Sequence, residues 1–197
     1  MKKLVLGVAS IIALNTTAQV NWKLDNSHSK LGFSVTHMMV SETEGKFKIY
    51  QGTASTKSDI DFTDAKIEFS ADVNSINTED DKRDAHLKSP DFFDAAKFPT
   101  ITFKATSMKP VTKGKTIYNL EGELTMHGIT KTVKLQAIGA TKTVKDPYGN
   151  IKYGFKVLGK LSRKDFGLTW NAALEAGGVL VGDDVKITLD IQFVKQA

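Results

Sequence analysis

The side chains in this chain best suited to acid–base or metal chemistry are its four histidines, His28, His37, His86 and His127. Their spacing gives no HExxH pair and no close histidine or carboxylate partner of the kind a metal site needs. There is no cysteine, so thiol nucleophiles and disulfides are excluded, and no G-x-S-x-G elbow is present. The carboxylates Asp80, Asp81 and Asp84 sit where a helix begins, and a helix-dipole role accounts for them. His127 precedes Gly128 and reads as a turn residue, while His28, between two serines, reads as a local hydrogen-bond partner. His37 and His86 are left, together with Arg83, whose guanidinium suits phosphate. These three are candidates for the polar end of a binding site, with capping or loop-fixing as the competing role. An enzyme acting on a headgroup through His37 or His86 is the catalytic alternative.

The elements that would position these groups are strands. Val185, Ile187, Leu189, Ile191 and Phe193 alternate with Lys186, Thr188, Asp190 and Gln192, so one face is buried and the other wet. The same rhythm runs through Leu31–Val35, Phe47–Ile49, Ile67–Val73, Ile101–Ala105, Leu120–Met126, Val133–Ala137 and Tyr153–Val157. That makes about eight strands, rich in β-branched and aromatic residues. His127-Gly128, Lys113-Gly114-Lys115 and Asp146-Pro147-Tyr148-Gly149-Asn150 carry the turn chemistry between them. Strands joined by hairpins predict an all-β, up-and-down antiparallel barrel of eight strands, closed so that no edge is left. On its inner face Phe33, Val35, Phe47, Phe69, Phe103, Leu124 and Phe155 are candidates to line a ligand channel, or else to fill the core.

One stretch breaks the alternation. Thr78-Glu79-Asp80-Asp81 predicts a helix start, and Ser89-Pro90-Asp91 predicts a second, with proline at the first helical position. Phe92 and Phe93 follow, and as neighbours they cannot share a helical face, so one is expected on the barrel and the other at the channel mouth. A helical insertion this long in a short-looped barrel suits a lid or packing element. Arg163-Lys164-Asp165-Phe166-Gly167 predicts a charged turn with an Arg163–Asp165 surface pair, Phe166 re-entering the barrel and Trp170 covering an end.

Lys2 and Lys3, the apolar run Leu4–Leu14, and Thr16 and Ala18 at the −3 and −1 places predict a signal peptide over 1–18, leaving 19–197 as one barrel domain. The apolar run is too short for a membrane span. The formal net charge of +5 falls to +3 without Lys2 and Lys3. The lysines are scattered along alternating segments, so a nucleic-acid partner is not expected.

Several segments together carry a resemblance. They are Asp25-Asn26-Ser27-His28-Ser29-Lys30-Leu31-Gly32-Phe33 ending in His37, Gly45-Lys46-Phe47, Ile76-Asn77-Thr78, and Arg83-Asp84-Ala85-His86-Leu87-Lys88-Ser89. Asp91-Phe92-Phe93-Asp94, Phe98-Pro99-Thr100-Ile101-Thr102-Phe103, Gly122–Gly128, Arg163–Gly167 and Val181-Gly182-Asp183-Asp184-Val185 follow in order. From about Trp22 to about Val194 the chain resembles the YceI-like family of periplasmic polyisoprenoid-binding proteins. The resemblance implies a lipocalin-like barrel with a long internal channel and an isoprenoid-quinone-like or other long-chain amphipathic lipid as ligand. It also implies no cofactor beyond that lipid, no catalytic residues, a periplasmic location and, in many members, a homodimer. A carrier for such a lipid is the leading expectation, with no stable membrane insertion. A stress-related scaffold with a filled barrel and the headgroup enzyme are the alternatives.

Overall fold

The computed structural model describes residues 19–175 and 177–197; the signal peptide expected over 1–18 lies outside the described residues. The twelve strands are β1 (Val20–Leu24), β2 (Lys30–His37), β3 (Ser41–Phe47), β4 (Tyr50–Thr56), β5 (Lys66–Asp72), β6 (Ile76–Asn77), β7 (Thr100–Pro110), β8 (Ile117–Met126), β9 (Ile129–Gly139), β10 (Val144–Lys145), β11 (Ile151–Ser162) and β12 (Val181–Lys195). Every pairing is antiparallel, and the pairing of β11 with β12 closes the sheet into an eight-stranded barrel.

The count of eight is recovered because four of its strands are each broken in two; β9 and the short β10, for instance, lie one after the other along β11. β1 and β2 both pair with β12, separated by a 3₁₀ turn at Asn26–His28 that Asp25 caps by accepting from the Ser27 N–H at 3.1 Å. β3 and β4 part at Lys48-Ile49, whose N–H groups both donate to the Ser75 hydroxyl, at 3.1 and 3.0 Å. The orphaned ladder groups at the break are thereby satisfied. β5 and β6 are split by a second 3₁₀ turn, Val73–Ser75.

The tight hairpin at His127-Gly128 is present, with φ of 52° and 74° at its two central residues and Met126 facing Ile129. Positive φ at both positions matches the twist of the flanking strands. Outward positions carry cross-strand ion pairs, among them Lys104–Glu68 at 3.3 Å and Lys156–Asp190 at 2.9 Å. Such a wet outer face is the reverse of the apolar band of a lipid-spanning barrel.

The insertion between β6 and β7 holds one helix, α1 (Asp81–Lys88). Its N-cap is Asp80, two residues beyond the Thr78 that heads the predicted start, and the Asp80 carboxylate accepts from the Arg83 N–H at 3.0 Å. The second helix expected at Ser89-Pro90-Asp91 does not form; 89–98 is a run of turns. Phe92 N–H and Asp94 N–H both donate to the Ser89 carbonyl, and Phe93 N–H donates back to Leu87, so the chain coils on itself without an i→i−4 ladder.

Candidate functional site

Inside the barrel lies a cavity of about 160 Å³. Phe33, Phe47, Phe69, Phe103, Leu124 and Phe155 all border it, as their place in the alternation predicts. Ile67, Met108, Leu120, Leu135, Val157 and Ile187 complete much of the wall, and Ser70 is the one bordering residue with a polar side chain. A cavity of this size lined by carbon stays dry and takes a benzene-sized guest.

Three rings of the wall lie against glycines on the neighbouring strand. Phe33 faces Gly45 and Phe69 faces Gly52 in direct register, and Phe103 covers Gly122 one step along. A Cβ built on Gly45 would stand 2.3 Å from the Phe33 ring, on Gly52 2.7 Å from Phe69, and on Gly122 2.4 Å from Phe103. The missing side chains let the rings lie flat along the wall, which keeps the axis of the barrel open.

One end is sealed. Phe62, in the loop between β4 and β5, is fully buried among Trp22, Tyr153, Phe155 and Phe193, with ring centroids 4.8–6.4 Å apart. The polar atoms of this plug are satisfied: Trp22 Nε1 donates to Thr56 Oγ1 at 3.0 Å and the Tyr153 hydroxyl to the Ala140 carbonyl at 2.5 Å. Burial pushes the Tyr153 phenol up to about 12. At the rim of the same end, burial alone would raise the Asp25 carboxyl. Hydrogen bonds from Lys152, His28 and Gln192 outweigh it and hold the group far below its ordinary range.

The other end is the mouth. Its rim is made by the β2–β3 turn (38–40), the α1 insertion, the His127-Gly128 hairpin and the 163–180 loop. Phe93 reaches over it, edge-on to Phe47 at 6.2 Å, and packs, as Ile101 and Leu124 do, against the buried cluster of Met126, Val133, Phe166 and Leu168. Phe92 turns away into a cluster with His86 and Trp170, at 5.0 and 5.1 Å. His86 stands edge-on to both rings, and its Nε2 meets Asp91 at 3.1 Å. This cluster joins the insertion to the 163–180 loop and does not face the cavity. Of the two phenylalanines, one therefore lies at the mouth and the other ties two rim loops together.

The remaining candidates are placed elsewhere. Arg83 donates to the Thr78 hydroxyl and carbonyl, both at 2.7 Å, and the Thr78 hydroxyl in turn donates a hydrogen bond to buried Asp84 at 2.6 Å. Its guanidinium is thus held in the helix start, outside the cavity. Val35 and His37 continue the inward face of β2 beyond Phe33 toward the turn, outside the cavity wall. Phe166 is buried with Met126, Val133 and Leu168 in a second core cluster at the mouth end.

The expected Arg163–Asp165 surface pair is replaced by a buried arrangement. Arg163 is 3% exposed and donates to the carbonyls of Gly182, Leu168 and Trp170 at 2.6–2.9 Å, with Asp183 at 3.3 Å. Burial pushes its guanidinium down from the ordinary value, and Asp183 offsets part of that. A planar donor fork can gather carbonyls from two chain segments, which a carboxylate partner alone would not do.

The plug residues Trp22 and Phe62 and the wall glycines were not among the sequence candidates. Phe62 had a readable signal, as the lone aromatic in the polar loop Ser58–Asp64. So did Gly45, Gly52 and Gly122, each at an inward step of an alternating strand.

The profile of the YceI-like domain matches residues 22–193. A UPF0312 protein of Staphylococcus aureus strain bovine RF122/ET3-1 is 39% identical over 176 residues, covering 88% of this chain and 96% of that protein. The Campylobacter jejuni YCEI protein is similar in structure, with TM-score 0.67 and 28% identity over 88% of this chain and 97% of its own. BcnA of Burkholderia cenocepacia shares the fold at TM-score 0.73 and 22% identity, covering 86% of this chain and 98% of its own. A polyisoprenoid binding domain from Saccharophagus degradans shares it at TM-score 0.63 and 14% identity, covering 89% and 98%. With a closed eight-stranded barrel, an apolar axial cavity and a family profile spanning nearly all of the described chain, this protein belongs to the YceI-like family.

Proposed function

We propose that the protein is a periplasmic carrier that holds the tail of a polyisoprenoid, or of another long-chain amphipathic lipid, along the barrel axis. The observation that carries this reading is the cavity wall, built of carbon and kept open by rings lying against glycines. The polyisoprenoid binding domain of Saccharophagus degradans, alike in fold, supports the choice of ligand class. Binding rather than turnover is favoured by chemistry, because the wall offers no acid, base or nucleophile beyond the Ser70 hydroxyl.

The tail enters past Phe93 and runs toward the plug at Phe62. A tail longer than a benzene-sized guest displaces the mouth side chains Phe33, Phe47 and Phe93, which gives way more readily than the interlocked plug. Burying ~200 Å² of prenyl surface supplies ~5 kcal/mol before ordering costs. The head of the lipid stays at the rim, where His37 lies.

Native mass spectrometry of the exported protein, with solvent extraction of anything bound, tests this. A stoichiometric prenyl lipid is expected. Protein that neither carries nor takes up an added prenyl lipid refutes the proposal.

A further inference from the structure

Lysines that are scattered along the sequence are gathered by the fold at the sealed end of the barrel. The loops there join β4 to β5, β7 to β8 and β9 to β11. They carry exposed Lys57, Lys113, Lys115, Lys142 and Lys145. Among the described residues none of these five has an ion-pair partner, because the carboxylates at this end are already engaged. Asp59 pairs with Lys195, Asp64 with Lys109, and Asp25 and Asp146 with Lys152. Asp61 alone remains, and it accepts from the Thr63 N–H. The sealed end therefore has a cationic surplus.

The same loops show apolar side chains to solvent. Ile60 is 54% exposed, Val111 53%, Val144 58% and Tyr148 90%. None of them contributes to the plug beneath, and a loop end designed only for solubility has no use for them. Lysines interleaved with aliphatic residues and a tyrosine are the chemistry of an interfacial membrane contact. The apolar tips enter the headgroup region, the phenol sits at its level, and the ammonium groups meet anionic lipid.

The mouth has an apolar tip too, Met38, Met39 and Val40, at 44%, 67% and 83% exposure. Its charges are mixed and show no cationic surplus: Glu42 pairs with Lys186 and Glu79 with Lys46, and Lys82, Arg83 and Lys88 stand beside Asp80 and Asp81 in the neighbouring insertion. An anionic surface therefore favours the sealed end over the mouth.

We infer that the sealed end of the barrel is a peripheral docking face for an anionic lipid bilayer, seated through Lys113, Lys115, Lys142 and Lys145 with Ile60 and Tyr148 dipping into the interface. The mouth then points away from the bilayer on which the protein rests. The inference is independent of what the cavity holds.

Co-sedimentation of the purified protein with phosphatidylcholine vesicles, with and without phosphatidylglycerol, tests it at low and high salt. Binding is expected to require phosphatidylglycerol and to fall with salt. The double variant Lys113→Gln/Lys115→Gln weakens it roughly 25-fold, at about fivefold for each lysine brought to the surface. Tyr148→Ser with Ile60→Ser weakens it further at either salt concentration. All four side chains are exposed, so the thermal midpoint stays at the wild-type value and serves as the folding control. Equal binding to uncharged vesicles, no binding to either, or a loss produced by Met39→Asp but not by the lysine pair overturns the inference.

Discussion

Gly45→Ala is the smallest change that tests how the barrel stays open. The added methyl would stand 2.3 Å from Phe33 Cζ and 2.8–2.9 Å from its two Cε atoms, and it would meet no backbone atom at that range. Ordinary contact begins near 3.4 Å, so the ring must retreat by about 1 Å, and the cavity that it borders is open to it. Overpacking of this kind costs about 1–3 kcal/mol, and the lower entropy of an unfolded alanine returns up to about 1 kcal/mol. The net destabilisation is about 1–2 kcal/mol, which lowers the midpoint of a barrel this size by several degrees. Prenyl-lipid uptake falls as well, because the ring then stands where the tail would lie.

A double-mutant cycle with Phe33→Leu isolates the contact. With the shorter, mobile side chain opposite, Gly45→Ala loses its penalty and turns neutral or stabilising. Urea unfolding should give a coupling energy of about 1–2 kcal/mol between the two sites. Additivity within about 0.5 kcal/mol would refute the reasoning, since the ring would then owe nothing to the glycine.

Other perturbations read other parts of the barrel. Arg163→Ala orphans buried carbonyls on both sides of the 163–182 segment and should cost about 3 kcal/mol or more, at about 1–3 kcal/mol for each unsatisfied group; Arg163→Lys should recover only part, because one ammonium cannot span three carbonyls. The Asp25 carboxyl ionises far below its unfolded value of about 4, so the stability it contributes is full above that pH and drains away as pH falls through the acid range; Asp25→Asn should flatten the acid limb of the stability–pH curve. The Tyr153 phenol, pushed up to about 12, keeps its proton longer folded than unfolded, so its contribution is full below about 10 and lost as pH rises toward 12. Ultraviolet titration of wild type against Tyr153→Phe should remove one high-pH phenolate step.

Strand alternation made the barrel legible because burial on one face imposes a period of two, and no other element does so. The six wall residues Phe33, Phe47, Phe69, Phe103, Leu124 and Phe155 were readable for the same reason. The second helix was misread because Pro90 supplies a good first position but the residues after it pack Phe92 and Phe93 against different neighbours, which a single helical face forbids. Arg163 was misread because a charged turn looks solvated until the later segment around Gly182, distant in sequence, folds over it and supplies its acceptors. His86 and Arg83 looked like headgroup ligands by type, yet their partners Asp91 and Thr78 lie within five residues, and local bonds claimed them first. Contacts made across the barrel are set by register, which composition does not encode.

The pairing of β1 with β12 also fixes where the backbone enters and leaves. Trp22 sits opposite Lys195, and the Gln196 N–H donates to the Asn21 carbonyl at 2.8 Å, so residues 19 and 197 are neighbours on the sealed side. A short linker between them, with new ends opened in the Met38–Val40 turn, would rearrange the order of the chain and leave every strand pairing intact. The barrel is in this respect a circle written out as a line, and a tag or surface tether attached at either residue 19 or residue 197 leaves the mouth unobstructed.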